Sequence, residues 1–285
     1  MKKQFEILNI INNIIYSLRR NSSFSLDNCF IHSKQVQEYP LLLPKNSEIL
    51  KEMKFRLKEE DLLRNFTILR FKLQDITVAT HEVLWPFLEI LQSGITTGHV
   101  TLLAIQGISF ILKEFDLGSV NLPLLTSAVT KCKFEASEAI NDEIVLANIL
   151  VLLKKIVINF KQDLKLTEIM DILQVSLGMY FQNRISEFLK KEALHTLSTV
   201  VVEISFLPKV LFEILKVISG LLDQDIKGNI DSVHRNLGLY LLQVVLDERG
   251  TELNKLMGLV DHHLISESFS RKNSFILTGT TYNLF

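Results

Sequence analysis

The chain has 285 residues, 47% of them hydrophobic, with 31 basic and 32 acidic side chains and a net charge of −1. That apolar content supplies a substantial core, and the balanced charge argues against a nucleic-acid binder, which carries a basic excess or stripe. Its 11 glycines and 5 prolines are too few for a turn-rich sheet protein and suit long helices with short corners.

The first predicted helix covers about residues 2–20, where Phe5, Leu8, Ile11, Ile15 and Leu18 recur at spacings of three and four. Residues 21–46 turn polar and include Pro40 and Pro44, which reads as a loop. A second helix follows over about 47–77, with Leu62, Phe66, Leu69, Leu73 and Ile76 as its stripe. A third spans 80–93 and carries Trp85-Pro86 in its first turns, where proline costs little because the first amides lack intrahelical acceptors. Trp85 is the single tryptophan and is expected in the core rather than as a ligand platform.

Gly94 and Gly98 bracket a polar hinge before a helix over about 99–115 with Val100, Leu103, Ile108, Ile111 and Leu112. Free amides at Thr97-Gly98 are able to hold an anion, as at any helix N-terminus. No lysine or arginine lies between residues 73 and 112, so the hinge reads as the corner of a helical hairpin.

Residues 116–121 form a turn, and Asn121 caps a helix entering through Pro123 and running on through "LPLLTSAVTKCKF". Asn141 is the expected cap of the next helix, with Asp142 and Glu143 where the helix dipole favours anions. Its buried side is read as Ile144, Ile149, Leu152, Leu153, Ile156 and Val157. Thr167 and Asn183 are the expected caps of two further helices, and Pro208 starts another. Two more are predicted at about 230–247 and 251–265, and the final "SESFSRKNSFILTGTTYNLF" shows no period and reads as unstructured. The sum is about eleven helices and no strand, which predicts an all-α, armadillo/HEAT-like α-solenoid of stacked hairpins. The inference rests on helix succession rather than on a repeat consensus.

The search for chemistry returns little. No nucleotide fingerprint, nucleophile elbow or HExxH pair occurs. Asp261-His262-His263 is the one dense group of metal-ligand types, and adjacent helical histidines point about 100° apart, so it reads as a helix end. His195 lacks a carboxylate–nucleophile setting and is expected as a packed or surface residue. Lys154-Lys155 and Lys190-Lys191 read as solvated faces. Cys29 and Cys132 make neither a metal-ligand spacing nor a disulfide framework, so a reducing compartment is expected. Asn9, Asn12 and Asn13 interrupt any signal-peptide core, and the two glycosylation-type triplets at Asn21 and Asn65 are taken as chance. Lys154-Lys155, Glu203 and Pro208 break the most apolar stretches below the length of a membrane span. No cofactor or metal site is expected.

Four ordered stretches carry a resemblance: "IINNIIYSLRRN", "PFLEILQSGITTGHVTLLAI", "AVTKCKFEASEAINDEIVLANILVLLKKIV" and "NRISEFLKKEALHTL". Together they resemble the N-terminal region of the large Golgi-type Arf guanine-nucleotide exchange factors, the brefeldin-A-resistance-factor class. The likeness implies a dimerisation and cyclophilin-binding-like domain over residues 1–206 and, more weakly, the start of the domain upstream of the Sec-7 domain over 207–265, with a divergent tail at 266–285. The catalytic Sec-7 domain and its glutamate finger are not matched. The resemblance therefore implies a non-catalytic, truncated form that associates with itself, with the full-length exchange factor or with that factor's upstream helical domain. Its place would be the cytoplasm, peripheral to Golgi membranes in vesicle transport, with any small GTPase or membrane contact indirect. Asp142-Glu143 match the family's acidic pair, whose glutamate is associated with dimer contact. The family's basic partner falls at Phe110 and is not matched, which leaves an apolar contact there. The alternative is a generic armadillo-like scaffold of another pathway, and neither reading needs a catalytic residue.

Overall fold

The buried apolar stripes of the described helices press against neighbouring helices. In a computed structural model of the protein, which describes residues 2–36, 47–73, 78–118, 120–135, 139–182, 185–204, 208–222 and 229–257, ten helices follow one another. They are α1 (Lys2–Val36), α2 (Ser47–Lys72), α3 (Thr80–Ser93), α4 (Gly98–Glu114) and α5 (Leu122–Thr130), then α6 (Ala139–Phe160), α7 (Leu166–Tyr180), α8 (Glu187–Ile204), α9 (Pro208–Leu222) and α10 (Asn229–Met257). No strand occurs among the described residues; one isolated bridge joins Thr97 and Glu135. The fold is the all-α, solenoid-type packing of helical hairpins that the sequence predicts. The chain divides into two compact units, Met1–Val200 and Val201–Phe285.

In the first unit the helices form two layers. α1 packs on α4, and α4 on α6; α2 packs on α3, α3 on α5, and α5 on α7. Side-chain pairings give the directions. Near the start of α4, a Cβ built on Gly98 would lie 3.4 Å from Val145 of α6. Near its end, Asn159 of α6 donates to the Leu112 carbonyl at 3.5 Å. α4 and α6 therefore run parallel. α8 continues the series: Ala147 and Leu150 of α6 pack with Leu189 and Ala193 of α8. Further along, Lys154 reaches Glu192 at 2.9 Å. Every second helix parallel in one layer is what stacked hairpins require, since each corner reverses the chain once. α1 enters the same layer antiparallel to α4, its Lys3 donating to the Glu114 carbonyl at 2.7 Å.

α4 is enclosed by three helices. Val100, Thr101, Ala104, Ile105, Gly107, Ile108, Ile111 and Leu112 are all buried, because α1, α3 and α6 cover three sides of it. Phe87 of α3 lies directly on its backbone: a Cβ added to Gly107 would fall 2.3 Å from the Phe87 ring. Phe66 of α2 meets the same ring edge-on, with centroids 5.1 Å apart. In the second unit α9 and α10 pack together. A Cβ on Gly238 would sit 3.0 Å from Leu222 there, so the approach is close.

Several boundaries differ from the sequence reading, each for a physical reason. α1 runs on to Val36, through residues read as the start of a loop. Residues 21–36 hold no proline or glycine, and serine or asparagine costs a helix only about 0.5–0.7 kcal/mol each relative to alanine. The rest of the predicted loop, 37–46, lies outside the described residues. α2 ends at Lys72, earlier than position 77. α5 stops at Thr130 because the next residues bond elsewhere: the Lys133 and Glu135 amides donate to the Leu91 and Thr96 carbonyls at 3.0 and 2.9 Å. α10 is one helix where two were expected. Gly250 lies inside it with open space around its Cα, and a lone glycine costs a helix about 1 kcal/mol without breaking it. Residues 258–265 and the tail to 285 lie outside the described residues.

Caps and faces were part right. Asn121 caps α5, accepting from the Leu124 amide at 3.2 Å. Asn141 instead falls within the first turn of α6, which begins at Ala139. Thr167 is likewise inside α7, whose N-cap is Lys165; the Lys165 amide donates to Glu168 Oε2 at 2.8 Å. Asn183 lies outside the described residues, and Ser186 stands just before α8 with its Oγ accepting from the Leu189 amide at 3.3 Å. On α1 the buried stripe is Ile7, Ile11, Ile14, Ile15 and Leu18, with Phe5 turned outward. On α6 Ile144 is exposed while Val145 is buried. Helical spacing allows neighbouring stripes 100° apart, and only the covering helix selects one.

The Phe87–Gly107 contact generates a prediction. Gly107→Ala should lose about 1–2 kcal/mol net, the cost of overpacking less the propensity gained, seen as a lower urea midpoint. Adding Phe87→Leu should make the double variant lose less than the sum of the two singles, because the added methyl then has room.

Candidate interaction surfaces

The hinge between α3 and α4 is a stapled corner. Gly94 has a φ of 67°, the left-handed conformation that ends α3 and that glycine adopts without a Cβ clash. Thr96 is buried and pairs its hydroxyl with that of Thr101 at 3.1 Å. The segment after α5 ties down both sides through the Lys133 and Glu135 amides. At the α4 N-terminus stands a carboxylate already: Asp142 Oδ1 would lie 3.7 Å from a Cβ on Gly98. An acidic side chain favours that helix end and disfavours a second anion there.

Asp142 is therefore placed against the first turn of α4. Glu143 faces the other way, its Oε1 accepting from the Ser186 amide at 2.8 Å. It holds the entry of α8 and belongs first to the fold. Phe110 lies half-buried on α4 with its ring edge-on to Phe115, centroids 6.4 Å apart. Twelve residues separate it from Gly98, or about 18 Å of helix at 1.5 Å per residue. The structure thus brings Asp142 and Glu143 together at one end of the layer and sets Phe110 toward the other.

Lys154 was read as solvated, yet its side chain is only 13% exposed. α8 covers it, and the ammonium bonds Glu192 at 2.9 Å and His195 Nδ1 at 2.8 Å. His195 is an exposed member of that tie. Burial pushes the Cys132 thiol up to about 12, which removes it as a nucleophile near neutral pH. Among the described residues no group of His, Cys, Asp and Glu is arranged to hold a metal. Asp261, His262 and His263 lie outside them.

Two apolar surfaces emerge that stripe counting missed. Phe5 and Tyr16 of α1 are 66% and 68% exposed. Eleven residues apart, they lie about 20° from alignment on one side of the helix. The other surface is a groove of about 460 Å³ in the second layer, built from α2, α3 and the start of α5. Its walls include Ile68, Leu69, Leu84, Trp85, Leu88 and Leu124. Trp85 is not a core residue: half of it is exposed, and its Nε1 donates to Glu89 at 2.9 Å. Position 85 carries the outward side of α3, while Val83, Leu84, Phe87 and Leu88 take the inward one. Lys72 closes one rim on Glu82 at 2.7 Å and holds that carboxyl below its usual range.

No protein-family model matches the chain. Among curated proteins it is 31% identical to ARF guanine-nucleotide exchange factor 1 of Saccharomyces cerevisiae over 156 residues, 51% of this chain and 11% of that protein. ARF guanine-nucleotide exchange factor 2 of the same yeast matches with the same identity and coverage. An uncharacterized protein of Schizosaccharomyces pombe is 30% identical over 130 residues, 43% of this chain and 9% of its own. Half of the chain is thus similar to a region of Arf exchange factors, and the match spans about a tenth of those proteins' length. No described helix is long and apolar enough to cross a membrane.

Two outcomes follow from these contacts. Glu143→Ala should lower stability by about 1 kcal/mol, as loss of a helix cap does, while Glu143→Gln keeps an acceptor and should lose less; urea unfolding distinguishes them. In a Cys29→Ser background, Cys132 should react with iodoacetamide at pH 8 about a thousandfold more slowly than an exposed thiol, the ratio of their thiolate fractions. Its rate should still be rising above pH 10, where an ordinary thiol has levelled.

Proposed function

We propose that the chain is a non-catalytic interaction region of the kind found near the start of Arf guanine-nucleotide exchange factors, and that it associates with a second copy of itself or with such a factor. The observation that carries this reading is the 31% identity to the yeast exchange factors over half of the chain. The dimerisation and cyclophilin-binding-like region, the upstream helices beyond it and the peripheral Golgi location all belong to the same proposal.

Phe5 and Tyr16 support self-association, since both expose most of an aromatic ring on one side of α1 and aromatic anchors carry much of the energy of protein interfaces. Phe110 is the further apolar candidate. Asp142 and Glu143 remain candidates as well, Glu143 through the oxygen that does not bind the Ser186 amide. An exposed ion pair adds only about 0–1 kcal/mol, so the apolar contacts decide.

Sedimentation equilibrium of the purified chain across concentrations tests the reading. A rise toward twice the monomer mass is expected, and the Phe5→Ser/Tyr16→Ser variant should shift it to higher concentration with an unchanged helical spectrum. A monomer throughout, together with failure to pull down the exchange factor on co-expression, would refute it.

A further inference from the structure

The exposed side of α1 repeats itself when its direction is reversed. Phe5, Asn9, Asn12 and Tyr16 are all exposed, and their spacings of four, three and four put them on one stripe about 60° wide. The order is ring, amide, amide, ring. Its midpoint falls between Ile10 and Ile11. At 1.5 Å per residue the asparagines stand about 2 Å from it along the axis and the rings about 8 Å. A second α1 laid antiparallel across that midpoint sets Phe5 opposite Tyr16 and Asn9 opposite Asn12, each pair made twice.

Such a match is what a closed two-fold interface requires, since one patch must complement itself. A partner of unrelated sequence has no need of it. Opposed helices also place their dipoles head to tail, whereas a parallel pair brings like ends together. An asparagine amide both donates and accepts, so Asn9 and Asn12 can bond to each other across the seam, and polar residues in a helical seam fix its register. Aromatic side chains bury about 150–250 Å² each, so with 66% of Phe5 and 68% of Tyr16 exposed four rings would cover about 400–700 Å². The four amides bring the total toward the lower limit of about 1,200 Å² for a specific interface, which describes a weak, concentration-dependent dimer. At the rims Lys3 comes near Arg19 and Arg20 of the other copy. Lys3 is held by Glu114 at 3.2 Å, both arginines are engaged within the chain, and salt screens the repulsion that remains. We propose that α1 pairs with the α1 of a second copy, antiparallel about this midpoint; the proposal rests on the reading that the chain associates with itself.

Two measurements on the full chain test the orientation. In a Cys29→Ser background, Asn9→Cys and Asn12→Cys chains are mixed in equal amounts and oxidised at a concentration where sedimentation shows dimer. The mixed disulfide should exceed either symmetric one about fivefold, because the opposed pair comes nearest to disulfide reach, about 7 Å between Cα atoms. Separately, Phe5→Ser and Tyr16→Ser should each raise the dimer dissociation constant about tenfold, and the double variant only about threefold beyond the weaker single, because both substitutions break the same ring pairs. Symmetric disulfides in excess, or single effects that multiply in the double variant, would overturn the antiparallel register and leave self-association standing. A chain that stays monomeric yet captures the exchange factor would overturn this proposal alone. A monomer that does not capture it would overturn both.

Discussion

Phe87 resting on Gly107 is the contact around which the first unit is built. A methyl group at position 107 would overlap the ring, which would then have to move. That ring fixes how close α3 comes to α4, and the edge of Phe66 brings α2 to the same point. Three helices from both layers therefore share one aromatic pair. The gain from burying two phenylalanines is large, about 1.5–3 kcal/mol each, but here their geometry matters more than their area. It sets the spacing of the layers, and α1 and α6 close on the remaining sides of α4.

Polar contacts then fix register rather than drive folding. Glu143 on the Ser186 amide and Lys154 on Glu192 join α6 to α8 at two points along their length. Each bond is satisfied only when the two helices are aligned, so a slip along the axis would strand a partly buried charge. The corner at Gly94 works in the same way. Its carbonyl neighbours at Leu91 and Thr96 are taken by amides from beyond α5, so three successive helices are held at one place. With these corners committed to internal partners, the exposed aromatic side chains Phe5, Tyr16 and Trp85 stand on helix flanks.

The fold was legible from spacing; the surfaces were not. α3 and α4 match their predicted ranges closely, and Asn121 caps α5 as its position before Leu122-Pro123 suggests. Trp85 and Phe5 are instructive failures. Both sit among apolar residues at helical intervals, so a stripe drawn through them looks buried. α1 turns Ile7 and Ile14 inward and leaves Phe5 out; α3 does the same with Phe87 and Trp85. Ile144 and Val145 repeat the lesson on α6. Lys154 errs in the other direction, because a lysine beside a lysine gives no hint that a second helix covers one of them.

The sequence alone determined that this chain is helical, where most of its helices turn, and that its residues resemble a region of Arf exchange factors. Those properties are local: periodicity, caps, glycine and proline act within a few residues, and short ordered stretches carry a likeness. Which side of a helix is covered, where Glu143 and Lys154 find their partners, and that Asn65 of α2 meets Glu89 of α3 were decided only by tertiary structure. Residues 65 and 89 come from different helices, and no spacing rule relates two positions whose distance depends on how an aromatic ring settles onto a glycine.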